Sequence, residues 1–424
     1  MPMFVTRSGL ILFVFFLTCF AGLQSVAAKE DSSRELFEQY KSLILQVKIL
    51  YTASGKKSSI GTGFLVKQGG YIVTNYHVVA DLLLKPQQYN AVYITESGKT
   101  GQLKVVSVDV VHDLALLKAD LDNQAYFEFN PEPIQKGTEV YSLGNPRDLG
   151  FVILSGNHGG LVEPSLYEKI HFIGALEPGM SGGPSFTVDG KVVGVNVATA
   201  GNLLSFLVPS KHVVKMLEDA RSLPQNLLVL AQQQLQANQS TYMSDFIRHP
   251  IKTTRLGRYR VPDKLSETFR CWGGDVLSKP KPYQIIEQSC ESKDDIFLNE
   301  DHSTGTVSYK HLLISSDKLD AFKFYTLFEA KFSRLLMAVE GREEDVTNFS
   351  CQEKFVVNHG LHLKVVYCAR GYKKFFGLYD VVLKAATVDQ KKMGLQTALL
   401  LTGVSFQNAQ QFAKKYLDSI TWQQ

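Results

Sequence analysis

Hydrophobic positions change their spacing several times along the chain. Residues 9–23 form one continuous apolar run rich in Phe and Leu. It is shorter than the ~20 residues that a membrane-spanning helix needs. Residues 32–43 follow the helical period, with Ser32 or Ser33 placed to cap and Glu35 in the first turn. Between about Leu45 and Val208 the pattern becomes short β-branched runs separated by Gly, Asn and Pro: 45–50, 63–66, 71–74, 91–95, 103–108, 115–118, 139–143, 151–155, 170–173, 192–197 and 203–208. Many short strands with frequent turns predict an all-β barrel or sandwich. Helical spacing returns at 209–221, with Ser210 ahead of Val213, Val214 and Leu217, and again in a Gln-rich stretch at 226–246. Strands and turns resume from Lys264. An amphipathic helix over 405–420 closes the chain, presenting Phe406, Phe412, Tyr416 and Leu417.

Composition refines this picture in two places. The chain has 424 residues, 45% hydrophobic and 20% charged, enough for two or three globular domains. Its formal net charge of +4 gives no argument for nucleic acid as a partner. Arg7 ahead of the apolar run, and Ser25-Val26-Ala27-Ala28 after it, read as a signal peptide cleaved after Ala28. No later segment is long and apolar enough to span a membrane, so the mature chain is expected to be exported and free of transmembrane segments. Four cysteines follow: Cys271, Cys290, Cys351 and Cys368. Three pairings are open, and symmetry favours one. Cys271 and Cys290 are centred on the turn-like stretch 278–282, and Cys351 and Cys368 on Asn358-His359-Gly360-Leu361. Two hairpins, each closed by its own disulfide, are expected in an oxidising compartment. No CxxC spacing suggests a metal site.

Chemistry concentrates in the β-rich half. E-P-G-M-S-G-G-P-S-F at 177–186 surrounds Ser181 with glycines. A serine hydroxyl becomes a nucleophile only beside a base, and the base needs an orienting acid. T-N-Y-H-V-V supplies His77, and V-H-D-L-A-L-L-K supplies Asp113, with Asp109 as its competitor. The chain order His, Asp, Ser is that of one known arrangement of this chemistry.

Together these stretches resemble the trypsin-like serine peptidases, and within them the bacterial branch of HtrA/Deg periplasmic proteases. G-T-G-F-L-V, T-N-Y-H-V-V, D-L-A-L-L-K, L-G-N-P at 143–146, G-M-S-G-G-P, D-G-K-V-V-G-V-N and F-L-V-P carry the likeness, from about Leu45 to Leu217. The resemblance implies a double β-barrel with His77 as base, Asp113 as its orienting acid and Ser181 as nucleophile. It implies an oxyanion hole from the backbone N–H groups of Gly179 and Ser181. Ala175, six residues before Ser181, falls at the floor of the specificity pocket, and Thr199 and Ala200 at its wall. Without a carboxylate at 175, the pocket has no reason to select Lys or Arg. Met180 departs from the family, where Asn or Asp is usual. No counterpart of the family's PDZ module is recognisable after Arg221.

The resulting division is a signal peptide at 1–28, a trypsin-like peptidase domain at 29–222, a helical, basic connector at 223–262 and a smaller α+β domain at 263–424 carrying two disulfides. The expected activity is hydrolysis of protein or peptide substrates in the periplasm or outside the cell, with no metal or organic cofactor. The rival is a protein-binding or chaperone-like module whose peptidase fold is latent. His112 is expected to point away from its neighbour Asp113, as adjacent strand residues do. The basic run 248–260 is expected to be a charged edge strand, and Trp272 and the aromatic run 375–379 to be core.

Overall fold

The computed structural model describes residues 32–199, 204–219, 226–275, 281–335 and 339–422. The expected signal peptide and its cleavage site lie outside them. A helix over 32–40 (α1) leads into six strands: β1 (Ile44–Tyr51), β2 (Lys57–Lys67), β3 (Tyr71–Thr74), β4 (Tyr89–Thr95), β5 (Thr100–Asp109) and β6 (Leu114–Ala119). They close as an antiparallel barrel in the order β1-β2-β3-β6-β5-β4. Val47, Ile72 and Leu117 on one face of its strands, and Phe64 and Val73 on the other, are all fully buried. Closure removes every sheet edge, so no cysteine is needed to protect one.

A helix, α2 (Tyr76–Leu84), interrupts this barrel where the sequence suggested no helix. Its Val78-Val79 pair favours strand, but burial of Tyr76, Val78, Val79 and Leu83 against the barrel outweighs that weak preference.

The second barrel comprises β8 (Glu139–Gly144), β9 (Val152–Leu161), β10 (Ile170–Ile173), β11 (Pro184–Phe186), β12 (Lys191–Thr199) and β13 (Leu204–Pro209); β7 (Glu128–Phe129) adds in parallel to β12. The order β11-β8-β9-β10-β13-β12 closes through the β11–β12 pairing. The architecture is the trypsin-like double barrel. Helix α3 (Ser210–Asp219) follows it.

Helix α4 (Leu227–Arg248) is capped by Asn226, whose side chain accepts from the N–H groups of Leu228 and Val229. Leu230, Ala231 and Leu235 join the core of the first barrel, and Tyr242, Met243 and Phe246 join the core of the C-terminal half.

That half is built on a seven-stranded antiparallel sheet. Ahead of it lie β14 (Thr253–Leu256) and β15 (Tyr259–Pro262), followed by β16 (Phe269–Asp275), β17 (Gln284–Ser292), the hairpin strands β18 (Ile296–Asn299) and β19 (His302–Thr304), and β20 (Val307–Ser315). After helix α5 (Ala321–Ser333) come β21 (Ser350–Asn358), β22 (Leu361–Gly371), β23 (Tyr379–Thr387), β24 (Met393–Val404), helix α6 (Phe406–Asp418) and β25 (Thr421–Trp422). The sheet order is β16-β17-β20-β24-β23-β22-β21. Alternation along β24 sends Leu399 to the side covered by Phe412 and Tyr416 of α6. It sends Ala398 to the side covered by Phe324 and Phe328 of α5. α5, like α2, is a helix the sequence reading missed. The basic run 248–260 does contribute an edge strand, β14. Within 375–379, Phe375 and Leu378 are buried but Phe376 is exposed. Trp272 is also exposed, on the terminal strand β16 of the sheet.

Cys271 and Cys290 are bonded across directly paired positions of β16 and β17, and Cys351 and Cys368 across β21 and β22. The second hairpin turns at His359 and Gly360, both at positive φ (46° and 78°), the geometry of a tight hairpin turn. The bonds close segments of 19 and 17 residues, for which chain entropy gives about 3 kcal/mol each. Reduction is therefore expected to lower the guanidinium midpoint of the C-terminal sheet and leave the cysteine-free barrels unchanged. Tryptophan fluorescence reads the first, through Trp272 and Trp422, and amide hydrogen exchange of the barrel strands the second. An unmoved fluorescence midpoint after reduction would remove the bonds from the stability of this half.

Candidate active site

The site is assembled from three chain segments. Asn75 follows β3 as the N-cap residue of α2, and His77 is the second residue of that helix. Asp113 sits in the turn between β5 and β6 at φ 57°, a left-handed conformation. There its carboxylate receives two groups from His77. Oδ1 accepts the backbone N–H at 2.8 Å, and Oδ2 faces ring Nδ1 at 2.7 Å. The carboxylate thus sits at the N-terminus of α2, where the exposed N–H groups and the helix dipole favour negative charge. Because an ionised carboxylate only accepts, Nδ1 carries the proton and Nε2 is left with a lone pair. Asn75 Nδ2 donates to the Asp113 carbonyl at 2.8 Å and holds the turn from its other side.

Burial disfavours the charged imidazole of His77 and is the largest single influence on it. The charge of Asp113 and its hydrogen bond together outweigh it, so the His77 pKa lies above its ordinary 6.5.

Asp109, the competing acid, ends β5 and faces His112: Oδ2 to Nδ1 is 2.7 Å. His112 is not a strand residue, as expected from the sequence, but lies with Asp113 in the turn. Its ring stacks on that of His212 at 3.8 Å. Burial, reinforced by the neighbouring His112, pushes the His212 pKa down to about 4. Helix α4 supports the same turn, since Gln234 receives the N–H of Val110 (3.0 Å) and donates to the Val108 carbonyl (2.7 Å).

The Ser181 loop comes from the second barrel and is locked onto the first by Thr62 of β2. The Thr62 N–H donates to the Ser181 carbonyl at 2.8 Å, and its hydroxyl donates to the Gly179 carbonyl at 2.8 Å. The same hydroxyl accepts from the N–H of Asn145 at 3.0 Å. This is the physical content of G-T-G: Gly61 leaves room for the Ser181 carbonyl, which would lie 3.1 Å from a Cβ there. A role for Thr62 was not read from the sequence, though the G-T-G motif pointed at it. Gly182 (φ +86°) packs against Thr74 and Asn75, so tightly that a Cβ would clash with Thr74. The Ser181 loop is thereby held against Thr74 and Asn75, immediately before the helix that carries His77.

Gly179 adopts φ +96°. The Pro178 carbonyl accepts from the N–H of Arg147 at 2.8 Å, and in a trans peptide this turns the Gly179 N–H the opposite way. Among the described residues, the N–H groups of Gly179 and Ser181 donate to no protein acceptor. Arg147 belongs to a loop anchored on the first barrel by Asp148, which takes hydrogen bonds from Lys48 and Gln46 of β1 and Lys57 of β2. The Lys48 bond leads in holding the Asp148 carboxyl down to about 2.

Met180 is fully buried among Val140, Phe172, Leu176 and Leu207, which explains an apolar residue at this position. Ala175 is exposed between Gly174 and Leu176, whose backbone groups are both bonded to Ser205 Oγ. Ser205 pairs with Thr199 across β12 and β13, so the backbone of Thr199 lies beside this segment. Ala200 lies outside the described residues. Among those described, no cluster of side chains suits a metal ion.

Two antiparallel barrels, with a His–Asp pair on one and a glycine-bracketed serine on the other, have the layout of a trypsin-like peptidase domain. The comparison with known families agrees: residues 61–195 match the trypsin-like peptidase domain. The chain contains a trypsin-like peptidase domain, and the curated relatives it matches are named DegP-like periplasmic serine endoproteases. A probable periplasmic serine endoprotease DegP-like of Marinomonas sp. is 29% identical over 206 residues, 45% of this chain and 42% of that protein. Its namesake in Brucella suis is 33% identical over 172 residues, 37% of this chain and 32% of that protein. The chain thus spans well under half the length of these curated relatives. A crystal structure of the serine endoprotease from Yersinia pestis aligns with a TM-score of 0.40 at 23% identity, covering 45% of this chain and 67% of that one.

Proposed function

We propose that the chain is an exported serine endopeptidase that cleaves proteins through Ser181, His77 and Asp113. The observation that carries this reading is the Asp113–His77 pair, with Nε2 left basic, on a helix whose start packs against a serine loop with two N–H groups that meet no protein acceptor among the described residues. Ser181 Oγ attacks the scissile carbonyl carbon while His77 Nε2 takes its proton. The oxyanion accepts from the N–H groups of Gly179 and Ser181. The C–N bond then breaks, and the imidazolium returns the proton to the leaving amine. Water, deprotonated by His77, releases the acyl group and restores Ser181. Asp113 holds the proton on Nδ1 throughout and stabilises the imidazolium.

Ala175, Thr199 and Ala200 would line a pocket for an uncharged, small-to-medium side chain. Export to the periplasm is supported by the apolar run 9–23 with small residues at 25–28, and by relatives named as periplasmic. The division into a peptidase domain at 29–222, a connector at 223–262 and a C-terminal domain at 263–424 is part of the same reading.

The test is labelling of the full chain with a fluorophosphonate, alongside digestion of casein. Labelling and digestion are both expected, and both are expected to vanish in Ser181→Ala. A folded parent that neither labels nor digests would favour the latent, protein-binding alternative.

A further inference from the structure

The wall beside His77 is supplied by the C-terminal half of the chain. Hairpin β18–β19 lies on α2, where the Leu298 carbonyl accepts from the hydroxyl of Tyr76, the residue before His77, at 3.2 Å. Alternation along β18 buries Ile296 and Leu298 in the core shared with the first barrel and leaves Phe297 between them half-buried. The Phe297 ring stands 6.0 Å from the His77 imidazole, edge to face at 74°. The hairpin is pinned on several sides. Just before it, Asp294 accepts from Ser165 Oγ and the N–H of Leu166 on the second barrel. At its tip, Asn299 donates to Asp345 at 3.0 Å, and at its far end Thr304 bonds the Tyr372 hydroxyl at 2.9 Å.

We propose that Phe297 walls a substrate subsite against His77, and that this subsite takes a bulky apolar side chain next to the scissile bond. The inference rests on reading His77 as the base of a peptidase. In that reaction Nε2 exchanges protons with Ser181 and with the leaving amine, so the bound polypeptide passes within contact of the imidazole. An edge-to-face partner at 6.0 Å is within reach of any side chain that touches that ring. Its chemistry is that of a benzene face over buried aliphatic residues, which favours apolar or aromatic partners over charged ones. The C-terminal half is then part of the active site rather than an appendage, and the segment 61–195 by itself lacks one wall of its cleft.

The experiment uses the full-length protein and fluorogenic peptides that vary the residues on either side of the cleaved bond. Parent, Phe297→Ala and Phe297→Leu are compared by kcat/KM, after fluorophosphonate labelling of the parent. At one position the parent is expected to prefer Leu or Phe over Gly by about tenfold or more. In Phe297→Ala that ratio is expected to collapse toward one. In Phe297→Leu, which keeps the hairpin apolar, it is expected to fall for Phe more than for Leu, and this variant carries the test should the Ala variant not fold. A parent that fails to label strikes the peptidase reading itself. A labelled parent with no such preference, a preference unchanged in both variants, or a loss by one common factor on all peptides overturns the role of Phe297.

Discussion

Replacing Asp113 by Asn is expected to lower kcat by about 10⁴-fold, the size of this change in a Ser-His-Asp arrangement, without disturbing the fold. The fold survives for two reasons. Asp113 lies at φ 57°, and Asn is one of the few residues at home there. Asn Oδ1 still accepts the N–H of His77, so the start of α2 keeps its partner. The chemistry does not survive. The amide NH₂ now faces ring Nδ1 and donates to it, which moves the imidazole proton to Nε2 and removes the lone pair that Ser181 needs. The pH dependence gives a second reading. Only neutral His77 accepts a proton, so activity falls as pH drops through its pKa, which lies above 6.5 in the parent because Asp113 outweighs burial. With the carboxylate gone, burial acts unopposed and the acid limb is expected below 6.5. Profiles of kcat/KM against pH for parent and variant check both statements. A variant with undiminished kcat would take Asp113 out of the reaction.

What local sequence could reveal here depends on how far apart the interacting residues lie. The strands of both barrels follow from alternation, and so do the hairpin disulfides, because Cys351 and Cys368 stand at equal distance from a turn at His359 and Gly360. His77, Asp113 and Ser181 could be nominated from the sequence because each lies in a motif with its own neighbours. Helix α2 was not, since its identity is decided by burial against strands on either side rather than by its own β-branched residues. Helix α5 was readable in principle: Asp320 caps it through the N–H of Lys323, and Phe324, Phe328 and Phe332 recur every four residues. Phe322, Phe324 and the intervening Lys323 imitate a strand and hid that signal. The placement of Phe297 beside His77 had no local signal. The bond that sets it joins residues 222 positions apart, Tyr76 and Leu298.

The hairpin bearing Phe297 leans on a buried charge pair, and breaking that pair is expected to cost about 3–5 kcal/mol. Arg370 and Asp380 face each other across β22 and β23, with side chains 8% and 1% exposed. Asp380 Oδ2 accepts from Arg370 Nε at 2.8 Å, and Oδ1 accepts from the Tyr372 hydroxyl at 2.6 Å and the N–H of Gly403 at 3.3 Å. In Asp380→Leu the guanidinium stays buried with the Glu340 carbonyl and the Phe349 ring as partners but no counter-charge, and the Gly403 N–H loses its acceptor. An uncompensated buried cation is worse than none. The double change Arg370→Met with Asp380→Leu removes both charges and is expected to be more stable than Asp380→Leu alone, although it carries one more substitution. Guanidinium titrations of the two variants and the parent measure this order. A single variant that loses less than about 1 kcal/mol, or a double variant less stable than the single, would show that the pair is not held as a desolvated unit. The loss is expected to be felt at the active site as well. Tyr372 bonds both Asp380 and Thr304 of β19, so a Tyr372 freed on one side loosens the strand paired with the one that presents Phe297. In conditions where Asp380→Leu remains folded, its preference for an apolar residue beside the cleaved bond should weaken toward that of Phe297→Ala.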